Sequence, residues 1–277
     1  MKLLKILTES AEWLAKKGVE SPRLQAELLL GHVLGMERLK LYLKFEREVT
    51  EKELEALRPL LKRRSHREPI QHILGETNFC GLHLKCSPAA LIPRPETEML
   101  VELAVEKLKN VPSGLIYDVG TGTGAVALAL AQKLPEWRFI ATDISKDALA
   151  LAHENHKKYF EAKIEWVETS LLYGQTEKAE AVVANLPYLT TEEMSSLPPE
   201  VLMDPKSALH GGVDGLDWIR QLIPQAVKLA PKLFLEIGPA QAEEIQKILQ
   251  EMEYSQVIIK EDFTERRRFI FAEKECF

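Results

Sequence analysis

An α/β fold follows from three observations on the sequence. Helical and strand-like segments alternate from Glu96 to the C-terminus, a wholly helical pattern fills the residues before about 74, and a proline-rich stretch with short β-type runs separates the two. The alternation predicts a twisted, mostly parallel sheet covered by helices on both faces. The chain has 277 residues, more than the roughly 100 to 200 of a typical domain. The expected division is therefore a small all-α domain over 1–74, a β-hairpin linker over 75–93 and an α/β domain over 94–277.

Each element has a local reason. "LLKILTESAEWLAKKG" is helical and stops at a glycine, "SPRLQAELLLGHVLG" opens with Ser21 as N-cap and Pro22 in the first turn, and "TEKELEALRPLLKRRS" opens as a capping box from Thr50 to Glu53. In "GETNFCGLHLKCSPAALIPRPETE" the prolines at 88, 93 and 95 exclude a helix interior, and the runs around Gly81 read as a hairpin. Seven strand-like segments follow: "LIYDVG", "WRFIATD", "KIEWVE", "AEAVVANLPY", "KLFLEIG", "YSQVIIK" and "RRRFIFAEK". The last two are close enough to pair as an antiparallel hairpin, and helical segments separate most of the others.

Composition narrows the class. A hydrophobic content of 45% beside 28% charged residues is that of an ordinary soluble protein, and no apolar run approaches the ~20 residues of a membrane span. "MKLLKILTESAEW" is interrupted by Lys5, Glu9 and Glu12 and lacks a small-residue cleavage site, so no signal peptide is expected and the cytoplasm follows. Cys80, Cys86 and Cys276 make an odd set, against a disulfide framework, and with His83 they match no standard zinc spacing. The formal net charge of −6 argues against a protein that coats nucleic acid. Two basic runs, Lys62-Arg63-Arg64 with His66 and Arg67, and Arg266-Arg267-Arg268, read as a solvated helix end and a strand edge.

The first chemical signal is "IYDVGTGTGAVALAL". Gly120, Gly122 and Gly124, with Thr121 and Thr123 between them, lie between an apolar strand and an alanine-rich helix, where glycine permits a tight turn and a ligand close to the backbone. Gly120, Gly122 and Ala125 also satisfy G-x-G-x-x-A, which alone does not separate NAD from other adenosyl ligands. Asp143 ends the next strand 19 residues after Gly124, a place from which a carboxylate accepts hydrogen bonds from both ribose hydroxyls. Asp118 ahead of the glycines gives D-x-G-x-G-x-G, similar to the first motif of the S-adenosylmethionine-dependent methyltransferases. That resemblance implies an acid and a loop beside the amino-acid moiety of the cofactor; a local turn-capping acid is the plainer reading of Asp118.

The second signal is "VVANLPYLT", an apolar run that ends in Asn185-Leu186-Pro187-Tyr188. An amide or aromatic amine is a poor nucleophile because its lone pair is delocalised, so a site that methylates one must hold the nitrogen. The Asn185 side-chain carbonyl and the Leu186 backbone carbonyl can grip both hydrogens of an NH2 group. Pro187 biases Leu186 toward extended backbone, and Tyr188 offers a flat face to a planar group. "NLPY" resembles the N/D-P-P-Y motif of amino methyltransferases, with Leu186 where proline is usual, and that motif serves adenine-N6 DNA methyltransferases as well as protein glutamine methyltransferases.

The flanking segments separate the two. "GETNFCGL", "LIPRPETE" and "ALHGGVDGLDWIR", in this order around the two signals, closely resemble the peptide chain release factor N5-glutamine methyltransferases, the PrmC or HemK family, over nearly the whole chain. The resemblance implies a Rossmann-like, seven-stranded S-adenosylmethionine-dependent methyltransferase domain behind a helical domain that recognises the substrate. It implies transfer of the methyl of S-adenosyl-L-methionine to the glutamine side-chain nitrogen in the Gly-Gly-Gln motif of class I peptide chain release factors, leaving S-adenosyl-L-homocysteine. It places the cofactor site on Gly120 to Gly124, Asp143 and Phe79, with Asn185 touching both cofactor and substrate, and the substrate grip on Asn185, Leu186, Pro187 and Tyr188. Ser170 and Leu171 of "VETSLLYG" stand where the family usually has an Asp and a bulky residue lining the adenine pocket. Arg94, Glu96 and Thr97 stand in its R-P-[DE]-T-E motif; helix capping or salt bridging are their plain alternatives, and a hairpin core position is that of Phe79. No membrane and no direct nucleic-acid partner is expected. The rival readings are an adenine-N6 DNA methyltransferase, which must extrude its base and hold phosphates, a non-catalytic adenosyl-binding module, and an NAD oxidoreductase, which leaves NLPY unexplained.

Overall fold

The structure, a computed structural model, describes residues 1–159 and 162–274; Cys276 lies outside them. The chain divides into two compact units, Met1–Glu76 with Pro198–Met203, and Thr77–Leu197 with Asp204–Phe277.

The first unit is helical, with α1 (Leu3–Lys16), α2 (Pro22–Leu34), α3 (Arg38–Tyr42), α4 (Glu51–Ser65) and α5 (Ile70–Leu74). Leu3, Leu7, Leu14, Leu29, Leu30 and Leu41 are fully buried in its core. The capping box forms: the Glu53 N–H donates to Thr50 Oγ1, and the Thr50 N–H donates to the Glu53 carboxylate. Ser21 occupies the N-cap position of α2 with a left-handed backbone, φ 47°, and its side chain makes no capping bond. The arginines of the basic run at the end of α4 are paired within the unit. Arg63 pairs with Glu68, while Arg64 and Arg67 both donate to Glu200 in the 198–203 segment.

The second unit begins at Thr77, within the hairpin of β1 (Glu76–Phe79) and β2 (Leu82–Lys85). Its two-residue turn, Cys80-Gly81, has positive φ at both positions, 48° and 80°, as the right-handed twist of a hairpin favours. Burial pushes the Cys80 thiol up to about 11, which keeps it protonated and unreactive near neutrality. Among the described residues no group of three or more His, Cys, Asp or Glu could hold a metal ion, and no helix is long and apolar enough to cross a membrane.

The order then runs α6 (Thr97–Leu108), β3 (Leu115–Val119), α7 (Ala125–Lys133), β4 (Arg138–Asp143), α8 (Lys146–His156), β5 (Ile164–Glu168), β6 (Ala181–Asn185), α9 (Asp217–Leu229), β7 (Lys232–Glu236), α10 (Ala242–Glu251), β8 (Gln256–Glu261) and β9 (Arg267–Glu273). The seven strands lie in the order β5-β4-β3-β6-β7-β9-β8, with β5 to β7 parallel and β9 antiparallel to both neighbours. The sheet is thus the seven-stranded, mostly parallel one expected, including the terminal antiparallel pair. Successive residues of the central strands serve opposite faces. Tyr117, Val182 and Leu233 pack with α9 and α10, and Ile116, Val183 and Phe234 pack with α6 and α7. Burial on both faces is why these strands read as unbroken apolar runs.

Parallel pairing puts every strand's carboxyl end on one edge. The register aligns Val119 with Thr142 and Ala184, Asp143 with Glu168, and Asn185 with Glu236. The chain leaves β3 toward β4 and β5 on one side and later fills β6 and β7 on the other, so the crevice of a topological switch point opens between the loops after β3 and β6.

Candidate active site

A cavity occupies that crevice. Gly120, Thr121, Gly122, Thr123, Asp143, Ser170, Leu171, Asn185, Leu186, Pro187 and Phe79 all line it, as do Asp118, Arg94 and Thr97. Gly124, Tyr188 and Glu96 do not.

The loop after β3 is held by its own segment and by the next strand, where the Thr142 carbonyl accepts from the Gly120 and Thr121 N–H groups at 2.8 and 3.0 Å. Gly120, Gly122 and Gly124 have φ of 72°, 55° and 79°, a region costly for any residue with a Cβ. A Cβ at Gly120 would also stand 2.9 Å from Leu186 Cδ2, and one at Gly124 would stand 2.7 Å from the Trp166 ring. Gly124 therefore serves the packing of α7 on the sheet, whereas Gly120 and Gly122 leave backbone facing the cavity. Asp118 holds the loop closed: its Oδ2 accepts from Thr121 Oγ1 at 2.6 Å and from the Ala127 N–H at 3.0 Å. Burial pushes this carboxyl up to about 6, against the two hydrogen bonds. Asp118 is thus both the turn-capping acid and part of the cavity wall.

Asp143 lies against Gly122 on the cavity wall. One oxygen accepts from the Gly122 N–H at 2.8 Å and the other from the Ser145 N–H at 2.9 Å. Burial raises its pKa, partly offset by those backbone donors. The Ile144 N–H is a third backbone donor to it, and with about four lone-pair sites a carboxylate so engaged can still accept from a ligand hydroxyl. Phe79 is both core and wall, 1% exposed and lining the cavity. Leu171 adopts φ 52° and is buried, while Ser170 beside it is exposed.

The loop after β6 is held by residues remote in sequence. Asn185 Nδ2 donates to Thr97 Oγ1 at 3.1 Å, and that hydroxyl donates to Glu236 Oε2 at 2.7 Å. With its nitrogen so engaged, Asn185 has its acceptor Oδ1 left for a ligand. Thr97 is thereby neither a cap nor a salt-bridge partner, whereas Arg94 does form an ion pair, with the buried Asp204 at 2.6 Å. The Leu186 side chain is buried in the core cluster that backs β6. The Tyr188 hydroxyl accepts from Arg268 Nη1 at 3.3 Å, and its backbone carbonyl accepts from Gln241 Nε2 at 2.9 Å. Burial, reinforced by the Glu236 charge, pushes the Tyr188 phenol up to about 12. Tyr188 is thereby tied to β9 and to the segment before α10. The backbone fits closely against a glycine segment: a Cβ at Gly211 would stand 2.5 Å from the Pro187 carbonyl oxygen, and one at Gly215 2.2 Å from that of Tyr188.

Glu236, Gln241, Arg268 and Asp204 escaped the sequence reading. A carboxylate closing the apolar run "KLFLEIG", as Asp143 closes "WRFIATD", was the one signal that pointed to Glu236.

Residues 5–75 match the family model described as the PrmC N-terminal domain, and residues 96–212 match the methyltransferase small domain. The chain is similar to the release factor glutamine methyltransferase of Deinococcus radiodurans, 39% identical over 99% of each chain. It is likewise similar to that of Geobacter sulfurreducens, 40% identical over 87% of this chain and 86% of the other. The human MTRF1L release factor glutamine methyltransferase is 34% identical over 92% of this chain and 82% of its own. Among solved structures, the hMettl16 catalytic domain in complex with an RNA hairpin superposes with a TM-score of 0.60 at 17% identity, covering 78% of this chain and 81% of that one. The ribosomal protein L11 methylase of Lactobacillus delbrueckii superposes at 0.50 and 22% identity, covering 66% and 81%. These two likenesses concern the fold.

Proposed function

The chain belongs to the release factor glutamine methyltransferase family, and we propose that it transfers a methyl group from S-adenosyl-L-methionine to the side-chain nitrogen of the glutamine in the Gly-Gly-Gln motif of class I release factors. The observation that carries the reading is Asn185, an amide on the cavity wall whose nitrogen is turned to Thr97 and whose oxygen is left to accept.

The residues present fit the cofactor. Gly120 and Gly122 bring bare backbone to the cavity, and a Cβ at Gly120 would already crowd Leu186. Asp143 offers lone pairs for the ribose hydroxyls, Phe79 and Leu171 offer apolar cover, and Ser170 offers a hydroxyl to adenine. When bound, S-adenosylmethionine supplies an electrophilic methyl carried on sulfonium. Asn185 Oδ1 and the Leu186 carbonyl accept from the two hydrogens of the substrate NH2, hold the nitrogen in line and favour the positive charge that develops on it. Pro187 fixes the carbonyl that precedes it, and Tyr188 acts through the loop it anchors. The proton released from the methylated nitrogen leaves to solvent, with no general base needed at the outset.

A cytoplasmic protein substrate without a nucleic-acid partner agrees with the charge. The net charge is −6, and Arg63, Arg64, Arg67, Arg267 and Arg268 are engaged by carboxylates of the same chain. The test is transfer of radiolabelled methyl to purified release factor, to its Gln→Ala loop variant and to duplex DNA in parallel. Label on the intact release factor alone is the expected result. Label on DNA would move the reading to the adenine enzyme, and label on none would leave a non-catalytic adenosyl-binding module.

A further inference from the structure

Glu236 is an acid at the end of a central strand, 2% exposed and in register with Asn185 on the adjacent strand. It does not line the cavity, and the glutamine-gripping chemistry described above makes no use of it. A buried carboxylate beside a reacting group needs a physical account, because isolating it from water is costly. Several groups face it. Thr97 and Glu96 come from the start of α6, Asn185 and Tyr188 from the end of β6, and Arg268 from β9; Arg268 is itself paired with Asp262.

The hydrogen bonds give the account. A carboxylate only accepts, so an ionised Glu236 obliges the Thr97 hydroxyl to donate to it. That donation at 2.7 Å leaves the lone pairs of Thr97 Oγ1 as the only thing it can offer Asn185, and the Asn185 NH2 donates to them at 3.1 Å. An amide has one donor end and one acceptor end, so fixing the donor end inward fixes Oδ1 outward. A protonated Glu236 can instead donate to Thr97, whose proton is then free to turn toward Asn185 and accommodate the reversed amide. The reversed amide presents NH2 to the NH2 it must hold, which is a donor facing a donor.

We propose that Glu236 is a positioning residue: its ionised carboxylate sets the direction of the hydrogen-bond relay through Thr97 and thereby points Asn185 Oδ1 at the substrate amide. The inference rests on the glutamine methyltransferase reading above. Burial, reinforced by Glu96 and opposed by Thr97, Arg268 and Asn185, pushes this carboxyl up to about 7. The relay therefore changes direction within the ordinary range of pH, and activity rises as pH rises through about 7.

The experiment has two arms. In the first, kcat for release factor methylation at saturating cofactor is followed from pH 5.5 to 9 for the wild type, Glu236→Gln, Thr97→Val and Thr97→Ser, with cofactor affinity measured by calorimetry. The wild type is expected to show a rising limb with a midpoint of about 7. Glu236→Gln and Thr97→Val lose that limb, Thr97→Val loses about tenfold in kcat at pH 8, from one hydrogen bond, and Thr97→Ser restores both. Cofactor affinity stays within about threefold throughout. A limb that persists in Glu236→Gln, or a Thr97→Val enzyme with the wild-type profile, overturns the proposal.

The second arm needs no turnover. The side-chain NH2 resonances of Asn185 in the free protein should titrate with a midpoint of about 7, and this titration should vanish in Glu236→Gln. If they do not titrate, the relay is refuted whatever the substrate. If they titrate and the release factor is never methylated, the relay stands and the functional reading falls.

Discussion

The two loops that meet at the cavity are built on different plans. The loop after β3 is closed by Asp118, bonded to Thr121 and Ala127 on the same segment, and by the end of the next strand, where Thr142 and Asp143 accept from the Gly120, Thr121 and Gly122 N–H groups. The loop after β6 is held by Thr97, Gln241 and Arg268 and by the glycines at 211 and 215, none of them its neighbours in sequence. A loop closed by its own segment and the strand that follows suits a ligand that needs bare backbone and little else. A loop pinned from several elements suits a task in which one amide must keep one orientation, and its rigidity is inherited from the whole sheet edge.

The largest effect should come from removing that amide. Asn185→Ala is expected to lower the single-turnover rate by ~10²- to 10³-fold, as for loss of one transition-state hydrogen-bond partner, with cofactor affinity by calorimetry nearly unchanged. Collapsed binding beside near-normal turnover would reverse its assigned role. Next, two glycine substitutions set the plans side by side. Gly215→Ala places a Cβ against the Tyr188 backbone at φ 78° and should cost ~3 kcal/mol or more in urea denaturation, whereas Gly122→Ala meets only Ala90 Cβ at 3.8 Å and should cost ~1 to 2 kcal/mol. Equal losses would erase the distinction between the loops.

A third test concerns the acid that closes the first loop. Asp118 is raised to about 6 in the folded protein, so the folded state holds its proton more tightly than the unfolded chain. Stability contributed by the neutral form is therefore lost as pH rises from about 4 to about 6, by roughly 3 kcal/mol at most. Asp118→Asn should flatten the denaturation midpoint over that window, and an unchanged slope would mean that the group ionises freely. The smallest effect is expected at Asp143→Ala, which should weaken cofactor binding by about tenfold, the worth of a charged hydrogen bond. An unchanged dissociation constant would remove Asp143 from the ribose site.

The same contrast explains what was legible beforehand. Gly120, Gly122 and Asp143 could be found in the sequence because the turn and the strand that position them are consecutive. The five inner strands were legible because both faces of the sheet are buried there, which makes each an apolar run, while the edge strands β5 and β8 are only partly buried. Thr97, by contrast, looks in one dimension like a residue at a helix start; only folding reveals that its hydroxyl lies between an asparagine 88 residues away and a glutamate 139 residues away. Tyr188 is expected from the sequence to face a planar substrate, and nothing in its neighbourhood of the chain announces the bonds it receives from Arg268 and Gln241, 80 and 53 residues on. Ser21 shows the local limit: its type suits an N-cap, but a left-handed backbone directs its side chain away from the bond.

The hexapeptide Pro198–Met203 belongs to the helical unit although the chain on either side of it belongs to the other. Protein synthesis is vectorial, and domains generally fold in the order in which they emerge. Here the helices of 1–76 emerge far ahead of Glu200, the carboxylate that receives Arg64 and Arg67, and Arg64 is only 4% exposed in the finished unit. The helical unit is thus the first to begin folding yet cannot finish on residues 1–76 alone: a nascent chain must grow past residue 203 before these charges are matched.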